Sequence, residues 1–244
     1  MLTDKVIRQS RSDLNPNLDI HSLTISSGEN LPHWQCNDAL YHISFRLADS
    51  IPQSVRERLL RERECLIANA KQHGKELSEE TERKAQYLYS EQVEKYLDVG
   101  YGKCYLSKAE IAKLVANSFT HFDNVRYRLH AWCIMPNHVH VIVEAMPDND
   151  LSKIIHSWKS YTAHRANEIL GLTGAFWQRD AYNHIIRSRK EYHFQIRYTW
   201  KNPEKAGLQN WQWRKPTIFR FSLESGRDGL ITFFVQIPRR RRGI

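Results

Sequence analysis

The order of apolar and polar residues along the chain predicts both strands and helices. Residues 37–47 alternate as a half-buried strand does. Tyr41 and Phe45 then share one face of this strand, and His42 lies on the other. The charged sequence that follows has apolar residues at helical spacing and predicts three helices, at about residues 54–72, 78–97 and 107–122. We therefore expect one strand followed by a long helical segment.

The second half of the chain predicts a hairpin, a helix, a strand and a last helix. Two valine-rich or alternating segments flank Pro136-Asn137, which is a turn signal. The predicted elements are strands at residues 125–135, 138–145 and 182–187, and helices at residues 151–170 and 190–201. Gly171 ends the first of these helices, and Asn202-Pro203 is expected to end the second.

This order of elements defines the expected fold class. Without the extra helices after the first strand, it is the β-α-β-β-α-β order of an α+β, ferredoxin-like (RRM-like) core with an antiparallel sheet, followed by one further helix. We expect a single domain at residues 1–215, with a helical elaboration at about residues 52–122. Residues 216–244 are expected to form a basic C-terminal appendage, in which GLITFFVQI could be an edge strand or a docking segment.

Charge adds a first indication of function. The 244 residues include 36 Lys and Arg against 27 Asp and Glu, which gives a formal net charge of +9, and the tail contains Arg239-Arg240-Arg241-Arg242. Such a balance favours a polyanionic partner, most often nucleic acid, although basic proteins without that function are also common. Apolar residues make up 41% of the chain, which excludes disorder for most of it.

Other features of the composition concern the compartment. The longest unbroken apolar run is about five residues, far short of a membrane span, and the N-terminus has no apolar signal region. The four cysteines form no C-x-x-C pair, which disfavours a zinc ribbon and fits a reducing cytosol. These features predict a cytoplasmic protein without a membrane partner.

The first candidate for chemistry is the sequence His138-Val139-His140. On a strand the two histidines project to the same side, with Cα atoms about 7 Å apart, so both imidazoles can reach one ion. We expect this side of the strand to be open and Val139 to face the core. A His-x-His pair alone is a weak metal signal, because it supplies only half of a coordination shell.

The second candidate is Tyr198 with Asn202. Four residues apart on one helix, they share a face. Taken alone, a packed tyrosine and a helix-end asparagine would explain them. In combination with the two histidines and a basic surface, they suggest a metal site with open positions for phosphate oxygens and a tyrosine that attacks phosphorus.

Three segments then resemble the signature blocks of a known family. MPNHVHVIVEA (135–145), FWQRDAYNHIIR (176–187) and YTWKNPEKAGL (198–208) resemble those of the HUH single-tyrosine transposases, in particular the REP-associated, IS200-like branch. The blocks occur in the family's order, and with the first strand the resemblance covers about residues 37–210. The combination of MPNHVHVIV with Y-x-x-x-N-P-x-K-x-G is highly specific.

The resemblance implies roles for individual residues. It implies Tyr198 as the nucleophile, His138 and His140 as metal ligands, and Asn202 as a third ligand or an amide beside the metal. It further implies Mg²⁺ or Mn²⁺ as the ion, and single-stranded DNA, cut beside a REP-type hairpin through a 5′-phosphotyrosine intermediate, as the substrate. Relatives of this branch suggest a monomer.

Two departures from the family pattern limit what is carried over. Asn183 stands where the family commonly has Asp, so a charged role at that position is in doubt. The helical segment at about residues 52–122 is longer than in compact relatives, and the family pattern gives it no function. Candidate DNA contacts near the matched blocks are Arg179, Arg187, Arg189, Lys190 and Lys201, although any one of these could be a solvated charge.

Two alternatives remain open at this point. An HUH replication initiator or relaxase performs the same nicking, but the chain has no second tyrosine at Y-x-x-x-Y spacing around Tyr198. A noncatalytic, RRM-like nucleic-acid-binding module would carry the aromatic RNP string on its strands, and no such string occurs.

Overall fold

We describe the chain from a computed structural model. It describes residues 24–27, 32–35, 39–72 and 79–216, with side chains at 39–69 and 88–215. The strands are β1 Thr24–Ser27, β2 Pro32–Gln35, β3 Leu40–Arg46, β4 Tyr127–Ile134, β5 His138–Ala145, β6 Tyr182–Ile186 and β7 Arg214–Pro216. The α-helices are α1 Gln53–Gln72, α2 Glu79–Asp98, α3 Ala109–His121, α4 Leu151–Leu170 and α5 Arg189–Lys205, and a 3-10 turn spans Tyr105–Ser107. The predicted tail segment lies outside the described residues.

The strand order confirms the predicted α+β fold. The main sheet has the order β6-β3-β5-β4-β7, and every neighbouring pair is antiparallel. The four strands β3 to β6 follow the split β-α-β-β-α-β pattern of a ferredoxin-like core. Helix α3 occupies the place of the first core helix, so the helical insertion consists of α1 and α2. Strands β1 and β2 form a separate two-stranded sheet.

The main core lies on one face of the sheet. Val139, Val141 and Val143 of β5 are fully buried there, as predicted for Val139, and pack with residues of α3 and α4. Aromatic edges fill the layer: the ring centroids of Phe119 and Trp158 are 5.1 Å apart. This layer fixes the sheet and therefore fixes the direction of the side chains on the opposite face.

That opposite face is covered, contrary to the expectation of an open side. Helix α5 packs across it, and the buried cluster beneath the helix contains Ala131, Ile142, Ile186 and Tyr192. His138 and His140 also have no exposed surface. The prediction was wrong because the sequence pattern does not show which sheet face the last helix covers.

Helix α5 also extends further than predicted. It begins at Arg189 after the N-cap Ser188, whose hydroxyl accepts a hydrogen bond from the Glu191 amide at 3.1 Å, and it continues through Pro203 to Lys205. Proline is tolerated here because its missing N–H removes one bond in the last turn, which the Ala206 amide closes onto the Asn202 carbonyl at 3.0 Å. Asn202 therefore lies within the helix.

The tip of the β4–β5 hairpin is tied to the insertion. The Asn137 carbonyl accepts from the Leu47 amide at 2.8 Å, and the Asn137 side-chain amide donates to the Tyr101 carbonyl at 3.0 Å. The Tyr101 loop turns at Gly102, where φ is +88° and a Cβ would lie 2.7 Å from the Asp49 carbonyl oxygen. A residue larger than glycine cannot fit there without moving the loop.

No helix among the described residues is both long enough and apolar enough to cross a membrane.

We predict that Gly102→Ala destabilises the fold more than Gly171→Ala. Both positions have positive φ, but the Gly171 Cβ would meet nothing within 4 Å, whereas the Gly102 Cβ would meet backbone. Gly171→Ala should cost about 1 kcal/mol of unfolding free energy, and Gly102→Ala about 2–3 kcal/mol or more. Urea unfolding of both variants measures the difference, and equal losses would contradict the proposed backbone contact.

Candidate active site and metal centre

Two histidines of β5 form the centre of a buried polar cluster. They begin the strand directly after the hairpin turn and point to the α5 side of the sheet. The Nε2 atoms of His138 and His140 are 3.0 Å apart. Two imidazole nitrogens that bind one ion at 2.0–2.2 Å each would have about this separation. The pair is therefore arranged as the sequence predicts for a shared ion.

Asn137 orients the first histidine. Its side-chain oxygen lies 2.8 Å from His138 Nδ1, and its side-chain nitrogen already donates to the Tyr101 carbonyl. Because the amide oxygen can only accept, the proton of neutral His138 is on Nδ1. The Nε2 lone pair is then free and points into the cluster, as in a metal-ligating histidine held by a hydrogen-bond acceptor.

His42 of β3 has the corresponding place beside the second histidine. Its Nε2 is 3.2 Å from His140 Nδ1, and the two rings stack with centroids 5.3 Å apart. His42 Nε2 can accept the Nδ1 proton of His140, which leaves His140 Nε2 free for an ion. Sequence reasoning missed His42, although it placed this residue on the polar face of the first strand.

Tyr198 reaches the cluster from α5. Its hydroxyl donates a hydrogen bond to Glu94 Oε2 at 3.0 Å, and its ring meets the His140 ring edge-on at 5.6 Å. The same Glu94 oxygen is 3.5 Å from His140 Nε2. The proposed nucleophile and the proposed metal ligands therefore lie at one site.

Glu94 is the other site residue that the sequence did not reveal. It belongs to α2 of the insertion, and its side chain is only 19% exposed. The ligand atoms of Glu94, His138 and His140 all lie within 4.8 Å of one another, and this is the one such group of three among the described residues. In a helix with many glutamates, no local signal distinguishes this one from a solvated charge.

Burial determines the charge of the cluster. It lowers the pKa of His138 and His42 well below the usual value and lowers the pKa of His140 to about 4. Burial also raises the pKa of Glu94 to about 7. Burial and the Glu94 carboxylate raise the pKa of Tyr198. Near neutral pH the imidazoles are thus uncharged and can donate a lone pair to a metal ion, and the phenol stays protonated.

Asn202 lies one helical turn beyond Tyr198, as predicted. The residue is 1% exposed, and neither its side-chain oxygen nor its nitrogen has a hydrogen-bond partner among the described residues. A buried amide without partners costs free energy, so such a group normally has a ligand or an ordered water.

These donors fit a divalent metal ion. Two neutral imidazoles, a carboxylate and an unpartnered amide oxygen are the nitrogen and oxygen groups that bind such ions. His138, His140, Glu94 and Asn202 are the residues that could hold it. The cluster therefore has the composition of a metal centre with a phenol at its edge.

The other predicted residues lie around this site rather than in it. Arg187 directly follows β6, and Arg189 and Lys190 are exposed in the first turn of α5. Lys201 is exposed later on the same helix. Arg179 is exposed and lines a separate cleft of about 460 Å³ beside α4, together with Asn183.

Tyr192 occupies a different environment from Tyr198. It is 6% exposed, and its hydroxyl is 3.1 Å from His130 Nδ1. It packs with Ala131 and Ile142, away from the cluster that contains His140. The two tyrosines of the last helix therefore face different sides.

Comparison with known proteins finds one family match. Residues 104–199 match the family described as "Transposase IS200 like". This segment is similar to the IS200-like transposases. The match includes His138, His140 and Tyr198 but neither Glu94 nor Asn202. None of the curated proteins compared with the chain matches it.

Two solved structures are also similar. One is a REP-associated tyrosine transposase bound to a REP hairpin, with 17% identity, 77% of this chain and 82% of that chain covered, and a TM-score of 0.40. The other is a putative transposase from Deinococcus radiodurans R1, with 12% identity, 72% and 97% covered, and a TM-score of 0.27. The strand order of this chain, not these similarities, establishes its fold.

The buried histidines predict acid sensitivity of the metal-free protein. Their folded pKa values lie below the unfolded value of about 6.5, so the unfolded chain binds more protons and stability falls as pH drops from about 6.5 towards 4. Glu94 has a raised pKa, so its protonation favours the folded state as the pH falls between about 7 and 4.5. This single group opposes the loss of stability caused by three buried histidines.

Urea unfolding at several pH values in EDTA measures this dependence. His42→Gln, which removes one of the three groups, should give a shallower slope. His164→Gln, on the exposed side of α4, is the matched control. A stability that is constant between pH 4.5 and 6.5 would contradict the burial of neutral imidazoles.

Proposed function

We propose that the protein is a metal-dependent transposase and endonuclease of single-stranded DNA, which cleaves and rejoins DNA near REP-type hairpins. Tyr198 is the nucleophile and forms a 5′-phosphotyrosine intermediate. The observation that carries the proposal is the position of the Tyr198 hydroxyl: it shares the Glu94 carboxylate with His140, within the cluster of metal-type ligands.

The chemistry assigns a task to each residue. The Tyr198 oxygen forms a bond to phosphorus while the bond from phosphorus to the 3′ oxygen breaks, the phenolic proton passes to solvent, and the 3′ oxygen takes up a proton. Attack by the 3′-OH reverses these steps and rejoins the strand, because the phosphate bond has been exchanged and not hydrolysed. Helix α5 holds the hydroxyl in place for both directions.

The metal, proposed as Mg²⁺ or Mn²⁺, would be held by His138, His140 and the Asn202 amide. When bound, such an ion polarises the phosphodiester and stabilises the charge on the leaving 3′ oxygen. Asn137 and His42 keep the imidazole protons on Nδ1, so that both Nε2 atoms present lone pairs. Burial keeps both rings neutral, which ligation requires.

The noncatalytic alternative has less support. An RRM-type module binds bases on aromatic residues of an open sheet face. Here helix α5 covers the corresponding face, and histidines occupy its strands. The REP-type hairpin part of the proposal follows from the motif resemblance, and a relaxase-like use of the same chemistry is distinguished by whether cut strands are rejoined to new ends.

We predict that Tyr198→Phe forms no covalent DNA adduct. The substitution keeps the ring and its contacts but removes the attacking oxygen, so folding and DNA binding should persist. The measurement uses labelled single-stranded DNA containing the palindromes that flank the gene, with Mg²⁺, followed by denaturing gel electrophoresis and mass spectrometry of the DNA-linked peptide.

Tyr192→Phe is the matched control on the same helix. It removes a buried hydroxyl that contacts His130, so it should cost about 1 kcal/mol of stability and still form the adduct. An adduct at a residue other than Tyr198 would overturn the assignment. If no adduct forms with any metal, the binding-module interpretation becomes the better one.

The metal ligands give a separate prediction. His138→Gln and His140→Gln should abolish divalent-dependent cleavage, while Asn202→Ala should reduce it less, since a neutral amide is the weakest of these ligands. Glutamine is chosen because alanine would leave a cavity at these buried positions. His164→Gln is the control, and cleavage by the two histidine variants at the rate of the wild type would exclude the site.

A further inference from the structure

The inserted helix α2 brings a carboxylate to a site that the family blocks would build without it. Glu94 lies outside the segment that matches the transposase family, yet it contacts both the nucleophile and a histidine of β5. The insertion is therefore in contact with the reacting groups.

We propose that Glu94 is an anionic ligand of the catalytic metal, so that the helical insertion completes the active site. This inference rests on the proposed function, since it concerns the same ion. The sequence resemblance supplies only neutral ligands, two imidazoles and one amide, and Glu94 adds the negative charge that they lack.

The chemistry of the ion supports this role. Mg²⁺ and Mn²⁺ prefer oxygen ligands, and carboxylates most of all, while a purely imidazole set suits softer ions. Lys205 also places a cation near the cluster, 5.7 Å from the centre of the Tyr198 ring. With neutral ligands alone, the positive charges of the ion and of Lys205 would repel each other without a nearby negative charge. The Glu94 carboxylate supplies that negative charge.

The docking of α2 holds the carboxylate in position. Asp98, one turn beyond Glu94, forms an ion pair with Lys205 of α5 at 2.8 Å. Leu97, on the same part of the helix, is 3% exposed and anchors it by burial. Glu94 and Asp98 thus join α2 to the tyrosine helix at two points, Tyr198 and Lys205. These contacts fix the orientation of α2 and so keep the Glu94 carboxylate beside the histidines.

The test measures Mn²⁺ affinity of the full chain without DNA, by isothermal titration calorimetry or by electron paramagnetic resonance of free Mn²⁺. Glu94→Gln keeps the size and a hydrogen-bond acceptor for Tyr198 but removes the charge, and we expect at least a tenfold weaker affinity. Glu94→Asp keeps the charge, and its Mn²⁺ affinity should lie between those of the wild type and Glu94→Gln. Glu91→Gln, on the exposed side of the same helix, should bind as the wild type does.

The outcomes separate this inference from the proposed function. Glu94→Gln that binds Mn²⁺ as tightly as the wild type overturns the inference, even if the wild type forms the tyrosine adduct. Faster adduct formation by Glu94→Gln also overturns it, because Glu94 would then obstruct the site. If Glu94→Gln binds Mn²⁺ more weakly but the wild type forms no adduct, Glu94 is still a metal ligand and the transposase mechanism is rejected.

A folding defect in Glu94→Gln would be seen by circular dichroism, and Glu94→Asp then decides. If Glu94→Asp binds Mn²⁺ no more weakly than Glu91→Gln does while folding normally, the carboxylate position is unimportant and the inference fails. If its affinity falls at unchanged stability, the position of the carboxylate is part of the metal site.

Discussion

The close approach of two buried imidazoles, those of His138 and His140, is the constraint on which the rest of the site depends. Two polar rings without solvent exposure are costly unless each nitrogen has a partner. The hairpin turn supplies Asn137 for one ring, and the neighbouring strand supplies His42 for the other. One partner lies in the hairpin turn and the other on the neighbouring strand, so the orientation of the Nε2 atoms is set by the fold.

The same burial makes the protonation of Tyr198 depend on a nearby cation. Away from a cation, the Glu94 carboxylate and the low polarity around Tyr198 favour the protonated phenol. A positive charge at the histidine pair would reverse this preference, because it stabilises the phenolate and the carboxylate together. In the proposed mechanism, occupation of the metal site would therefore help the Tyr198 phenol to lose its proton.

Much of this could be predicted from the sequence because it depends on local patterns. The alternation around Val139 to Val143 gave both the strand and its core face, and the spacing of Tyr198 and Asn202 placed both on one helix. Glu94 could not be predicted, because its role depends on the packing of an inserted helix against an element about 100 residues later. The same limit applies to the covered sheet face, since no pattern in β5 specifies that α5 lies over it.

The two tyrosines of α5 have similar acidity but different surroundings. Burial raises the pKa of both, that of Tyr192 to about 12, so neither residue is distinguished by its tendency to ionise. The Tyr192 hydroxyl lies 3.1 Å from His130 Nδ1, and its ring packs in an apolar cluster. Tyr198 has a carboxylate that also contacts His140, with an unpartnered amide one turn away. The groups around Tyr198 are those that the proposed function uses to hold a cation and a phosphate near the oxygen, so the proposed role rests on geometry and not on acidity.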